Sequence, residues 1–229
     1  MNLHHTTKIN IAIDGPAGAG KSTVARLVAN QLNYVYVDTG AMYRAVTFYA
    51  LTNAITPDNA REIEAALKNM NISFEPSEYG QQVLLNGTNI SEQIRSREVT
   101  SNVSNYAQVA AIRHYLGELQ KQLAIHKGIV MDGRDIGTYV LPNAELKIFL
   151  TASVKVRAQR RFNELTENNF IPLDQLEAEI QARDEQDQNR EISPLVRADD
   201  AILLDSSQLT IDEVVNEIVS LSRKKMLEV

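Results

Sequence analysis

Cysteine is absent from the 229-residue chain. Disulfide bridges, thiolate metal sites and cysteine nucleophiles are therefore excluded, and the absence accords with a reducing compartment. No stretch reaches the ~18 consecutive apolar residues of a membrane span. The opening Met-Asn-Leu-His-His-Thr-Thr-Lys has no apolar segment of the signal-peptide kind. A cytoplasmic monomer without membrane association is the expectation, and His4-His5 is read as part of a frayed terminus rather than as a chelating pair. Positive charge is not in excess: 23 Lys and Arg stand against 29 Asp and Glu, a net charge of −6. That balance argues against a general affinity for nucleic-acid polymers, which needs broad phosphate neutralisation. Repeats and low-complexity tracts are missing as well. What remains is an ordinary globular composition, 44% hydrophobic and 23% charged, of a length that fits one domain with a small insertion.

The chain then reads as alternating strands and helices. Ile9 to Ile13 is a short β-branched apolar run, the pattern of a buried strand, and a helix starts at Lys21 with Val24, Leu27, Val28 and Leu32 on one face. Tyr34 to Val37 reads as a second strand and the segment through Met42, Val46 and Ala50 as a second helix. This order predicts an α/β fold with a parallel sheet flanked by helices and joined by right-handed crossovers. Between about 71 and 90 the texture changes to short alternating runs with turn signals at Glu78-Tyr79-Gly80 and Asn86-Gly87, which predicts a small antiparallel β insert. Further on, a helix is expected over Val109 to Ala124, with strands at Ile129 to Met131, Leu146 to Leu150 and Ala201 to Leu204. Val154 to Arg183 reads as helical, interrupted at Asn168-Asn169-Phe170-Ile171-Pro172, and a terminal helix begins near Asp212.

The sharpest motif is Gly15-Pro16-Ala17-Gly18-Ala19-Gly20-Lys21-Ser22, followed by Thr23. It fits G-x-x-x-x-G-K-[ST] between a buried strand and a helix, the setting of a nucleotide-binding P-loop. Backbone N–H groups would face phosphate oxygens there, aided by the positive end of the helix. Lys21 would serve the β- and γ-phosphates, the Ser22 hydroxyl a Mg²⁺ ion, and Thr23 the α-phosphate. Asp132, closing an apolar strand, is a second acidic candidate that could reach Mg²⁺ through water, or it could simply cap a helix. A GTPase reading finds no Asn-Lys-x-Asp for guanine. A phosphoryl transferase needs cations on both substrates. Arg44, Arg134 and two helical stripes, Arg157/Arg160/Arg161 and Arg183/Asp187/Arg190, are placed for that. The two stripes flank the Asn/Pro break and read as a lid over phosphates, although a solvated charged face has the same spacing. A kinase for a different small acceptor and a P-loop switch protein remain as alternatives.

Five segments carry a resemblance. They are Ile13 to Ser22, Asp38-Thr39-Gly40-Ala41-Met42-Tyr43-Arg44, Asp132-Gly133-Arg134-Asp135-Ile136-Gly137, Arg183 to Arg190, and Leu204-Asp205-Ser206-Ser207. In order and spacing the chain resembles the bacterial cytidylate kinases over nearly its whole length. The resemblance implies transfer of the γ-phosphoryl of ATP, carried with Mg²⁺, to CMP and dCMP. It also implies one domain, with a core at 1–70, 99–153 and 185–229, a nucleoside-monophosphate-binding insert at about 71–98 and a lid at about 154–184. By the same resemblance Thr39, Ser104, Arg113 and Asp135 line the cytosine pocket. Arg44, Arg134 and Arg183 hold the CMP phosphate, and Asp187 the sugar hydroxyls. Arg190 reaches the acceptor as the lid closes, and Arg157, Arg160 and Arg161 reach the ATP phosphates. Lys21, Arg134, Arg183 and Arg190 are the expected catalytic cations. Threonine at 39, where many relatives have serine, is a departure that bears on tolerance for dCMP, and Ser101 lies close enough to Ser104 to compete for its role.

Overall fold

The structure is a computed structural model that describes residues 7–77, 80–164 and 170–229. His4-His5, most of the turn at Glu78-Tyr79-Gly80 and the start of the break at Asn168-Asn169 lie outside the described residues. The chain forms two compact units, one running to Val37 and resuming at Lys121–Val229, the other Asp38–Gln120.

The first unit is built on a five-stranded sheet. Its strands are β1 (Asn10–Asp14), β2 (Val35–Asp38), β6 (Ile129–Gly133), β7 (Leu146–Thr151) and β8 (Ile202–Asp205), in the order β2-β6-β1-β7-β8. β1 pairs in parallel with both β6 and β7, and β7 with β8. Every residue of β1 and of β6 is buried, which explains why Ile11-Ala12-Ile13 and Ile129-Val130-Met131 run apolar through both faces rather than alternating. Ile9, Ile11 and Ile13 pack with Val130, Leu146, Ile148 and Leu150 against α1 (Lys21–Leu32) and α8 (Ile211–Glu228). The even positions Asn10 and Asp14 point to the opposite side, as the period-2 geometry of a strand requires. α8 opens with a capping box, in which the Thr210 side chain and Glu213 satisfy one another's backbone N–H. Two further helices, α6 (Val154–Asn163) and α7 (Leu173–Gln188), pair through Ala158, Leu176 and Ile180.

The second unit holds α2 (Thr39–Thr52), α3 (Ala60–Lys68), α4 (Arg97–Tyr106) and most of α5 (Ala110–Leu123). It also carries an antiparallel sheet of β3 (Ile72–Ser77), β4 (Gly80–Leu85) and β5 (Thr88–Asn89). The Asn86-Gly87 turn takes positive φ at both residues, 50° and 80°, as a tight hairpin turn demands. The expected α/β class, parallel sheet and antiparallel insert are all present. α3 and α4 were not anticipated.

Candidate active site

The P-loop leaves β1 at Gly15, whose φ of +149° few side-chain-bearing residues adopt. It enters α1 through Gly20, left-handed at φ 86° and serving as the N-cap without a capping side chain. The first amides of α1 are thus left facing the loop rather than a local acceptor, the condition for anion binding. Lys21 folds back over this loop, its Nζ donating to the Pro16 carbonyl at 2.7 Å. Burial presses its pKa down to about 7, and the positive charge of Arg134 presses in the same direction, against the carboxylates of Asp132, Asp14 and Asp187.

Next to it, the Ser22 hydroxyl donates to Asp132 Oδ2 at 2.8 Å, and the Tyr36 hydroxyl donates to Oδ1 at 2.9 Å. A hydroxyl and a carboxylate in contact at the mouth of a P-loop are the hard oxygen donors that Mg²⁺ selects. Among the described residues no group of three or more His, Cys, Asp or Glu is placed to hold a metal. An ion here must draw its other ligands from phosphate oxygens and water.

Asp187 organises the arginines of this unit. Its Oδ2 accepts from Arg134 Nε at 2.9 Å, and its Oδ1 lies 3.6 Å from Arg190 Nη1. Burial works against this carboxylate, but Arg134, with Arg183 and Arg190, outweighs it and holds the pKa below the ordinary aspartate value. Arg190 also donates to the Ser193 carbonyl at 2.6 Å, and Arg183 stands one helical turn before Asp187 on α7.

The other arginine stripe divides. Arg157 is buried, and its guanidinium donates to the Ala17 carbonyl (2.7 Å), the Ala152 carbonyl (2.9 Å) and Asp184 Oδ2 (2.6 Å). Asp184 Oδ1 in turn accepts from the Ala17 N–H at 3.4 Å. The pair therefore grips the P-loop backbone at Ala17 from two helices. Arg160 reaches Ser206, donating to its hydroxyl at 3.1 Å and its carbonyl at 2.7 Å, while Arg161 pairs at the surface with Glu164. Asp184→Asn keeps an acceptor for Ala17 but removes the counter-charge of a buried guanidinium. It is expected to lower stability by about 2 kcal/mol, read as the shift in urea unfolding midpoint.

Asp14 ends β1, buried, and accepts from the backbone N–H groups of Ile136 (2.8 Å) and Gly137 (2.7 Å). Burial raises its pKa to about 7, against the lowering effect of those two amides. Asp135, also buried, precedes them at the head of a π-helical turn, Ile136–Val140.

In the second unit, Asp38 caps α2 by accepting from the Ala41 N–H at 2.8 Å, and its other oxygen accepts from Arg44 at 3.2 Å. Thr39 is buried at the first position of α2. Arg113 is buried on α5, donates to the Ala107 carbonyl at 3.0 Å and lies over the Tyr43 ring at 5.5 Å. Ser101 is exposed and spends its hydroxyl on carbonyls of its own helix, whereas Ser104 is half-buried.

The family model for cytidylate kinase matches residues 11–224. The chain belongs to the cytidylate kinase family. A cytidylate kinase of Listeria innocua is 55% identical over 222 residues, covering 96% of this chain and 99% of its own. One from Listeria monocytogenes is likewise 55% identical over 96% of this chain and 99% of its own. Among solved structures, a gluconokinase from Sinorhizobium meliloti aligns over 96% of this chain and 94% of its own, with a TM-score of 0.50 at 16% identity, a likeness of fold. The resemblance drawn from five short motifs thus extends across the cytidylate kinase length. Among the described residues no helix is long and apolar enough to cross a membrane.

Sequence reading passed over three residues of this site. Tyr36 lay in a strand taken as packing, Asp14 closed an apolar run, and Asp184 stood between two residues already assigned. Each acts on a group at least 27 residues away in the chain, so no local spacing marks it.

Proposed function

We propose that the chain transfers the γ-phosphoryl of ATP to CMP, with dCMP as a second acceptor, giving CDP or dCDP and ADP. The observation that carries this reading is the P-loop geometry, with Lys21 folded over the loop backbone and the Ser22–Asp132 pair beside it, in a chain of the cytidylate kinase family. A P-loop lysine and the arginine cluster around Asp187 lie close enough for one charge to depress the other. A lysine buried in this way is stabilised when phosphate oxygens arrive beside it.

In this reading an oxygen of the CMP phosphate attacks the γ-phosphorus in line, and the bond from that phosphorus to the β-bridging oxygen breaks toward ADP. No protein nucleophile is required, and the acceptor phosphate is already anionic at neutral pH. Lys21 holds the donor phosphates; Arg44, Arg134 and Arg183 hold the acceptor phosphate, with Arg190 joining as α6 and α7 close as a lid (about 154–184). Ser22, with Asp132 through water, would hold Mg²⁺, which supplies charge neutralisation on the donor phosphates. Arg160 and Arg161 are assigned to the ATP side, and Arg157 contributes by shaping the loop, since its donors are committed to Ala17, Ala152 and Asp184. The antiparallel sheet belongs to an acceptor-binding insert at about 71–98.

Cytosine offers an exocyclic amine as donor, with ring N3 and O2 as acceptors. Asp135 accepts from the amine and Arg113 donates to the ring, with Thr39 and Ser104 completing the pocket and Asp187 taking the sugar hydroxyls. Uracil reverses the donor and acceptor at that edge. Asp135→Ala is expected to erode the preference for CMP over UMP about tenfold or more, because the mismatch penalty of about 1–3 kcal/mol disappears with the carboxylate. Its effect on the affinity for Mg-ATP is expected to be far smaller.

The test is ADP formation from Mg-ATP with CMP, dCMP, UMP and AMP offered separately. Fast turnover with CMP and dCMP and slow turnover with UMP is the expected result. Equal rates with all four would remove the base-reading assignments, and no acceptor-dependent ADP at all would remove the reaction.

A further inference from the structure

Asp135 occupies the N-cap position of the π-helical turn Ile136–Val140, with φ of −145°. An aspartate there ordinarily turns its carboxylate back to accept the first amides of its own turn. Asp135 makes no such bond. Both orphan donors, the N–H groups of Ile136 and Gly137, point instead to the two oxygens of Asp14, on another strand of the sheet. The fit is close. A side chain at Gly137 would place its Cβ 3.3 Å from Asp14 Oδ2 and 3.1 Å from Lys147 Cδ, so the bare backbone is what lets the carboxylate in.

We propose that Asp14 is a positioning residue for acceptor selectivity: by capping this turn in place of Asp135, it keeps the Asp135 carboxylate off its own backbone and turned toward the exocyclic amine of the acceptor base. This inference rests on the reading of Asp135 given above. A buried amide without an acceptor is costly, so a turn deprived of Asp14 recruits the next carboxylate within reach. That carboxylate is Asp135, one residue before Ile136, and drawing it inward takes it away from the base. Burial of Asp14 sharpens the effect, because water cannot take over the two amides. The same aspartate immediately precedes Gly15, so the turn that selects the acceptor and the loop that holds the donor phosphates hang from one residue.

The experiment compares kcat/KM for CMP and for UMP, at saturating Mg-ATP, in the wild type, Asp14→Asn, Asp135→Ala and the double variant. The CMP-to-UMP ratio cancels any general effect on ATP binding or on the fraction folded. Asp14→Asn presents an amide donor to one of two N–H groups and is expected to lower the ratio about tenfold. In the double variant the loss should exceed that of Asp135→Ala by no more than about twofold, because Asp14 acts through Asp135. A ratio unchanged in Asp14→Asn while Asp135→Ala loses it overturns the positioning role and leaves the base-reading assignment standing. Full additivity of the two losses overturns it also. A ratio unchanged in Asp135→Ala removes the base-reading assignment, and the positioning role with it. Should Asp14→Asn fail to fold, Gly137→Ala disturbs the same hydrogen bond from the other side and must show the same non-additive loss.

Discussion

Replacing Lys21 by alanine is expected to lower phosphoryl transfer on the order of a hundredfold or more while leaving the fold in place. The two effects separate because the ammonium is poorly served by the protein alone. Its hydrogen bond goes to a neutral carbonyl of its own loop, and burial together with Arg134 holds its pKa near 7. Arriving phosphate oxygens add negative charge to that of Asp132, Asp14 and Asp187, and they favour the charged form. Removing the side chain therefore removes transition-state stabilisation, but it takes from the folded state a group that was costly to bury. Tm is expected to move by no more than about 4 °C, the shift of a 1 kcal/mol change in a chain of this size. Steady-state kinetics and thermal unfolding on one preparation check both halves. A mild loss of turnover would remove Lys21 from the chemistry, and a large loss of Tm would make it a structural residue.

Gly15→Ala is expected to act through the fold, with a loss of more than about 3 kcal/mol or no soluble protein at all. A Cβ at this position would lie 1.9 Å from the carbonyl oxygen of Leu150. Leu150 has no room to yield, since β7 is paired on one side with β1 and on the other with β8. The φ of +149° adds strain of its own. Relief requires either parting β1 from β7 or re-routing the loop, and the second course also destroys the phosphate cradle. Urea unfolding and Mg-ATP binding measure the two outcomes. Wild-type values for both would show that the loop leaves β1 by another path.

The elements that could be read from sequence are those whose cause is local. The P-loop is a contiguous motif, Ile11-Ala12-Ile13 of β1 and Ile129-Val130-Met131 of β6 are consecutive apolar residues because both faces of these strands are covered, and α1 shows its apolar stripe. α4 escaped because Thr100, Ser101, Asn102, Ser104 and Asn105 are poor helix formers and read as a loop. Its stability comes from burying Val99, Val103 and Tyr106, spaced four and three apart, and from the Ser96 cap. The π-helical turn escaped because five residues of mixed polarity carry no periodicity that separates it from a loop.

Charge behaved in the same way. Spacing placed Arg157, Arg160 and Arg161 on one stripe, and the stripe is real, yet Arg157 is sunk against Ala17 and Asp184 while Arg161 pairs with Glu164 at the surface. Helical periodicity states which residues share a face. It does not state what that face meets.

By itself, then, the sequence determined the α/β class, the antiparallel insert, the P-loop with Lys21 and Ser22, and the family, because each is written in neighbouring residues or in the order of short motifs. The tertiary structure alone decided that Asp14 caps the turn after Asp135, that Asp184 and Arg157 hold the loop at Ala17, and that Tyr36 and Ser22 share Asp132. Those bonds join residues 27 to 167 positions apart. Their partners are chosen by the parallel register of the sheet and by burial, where an unpaired polar group costs more than the chain can spare.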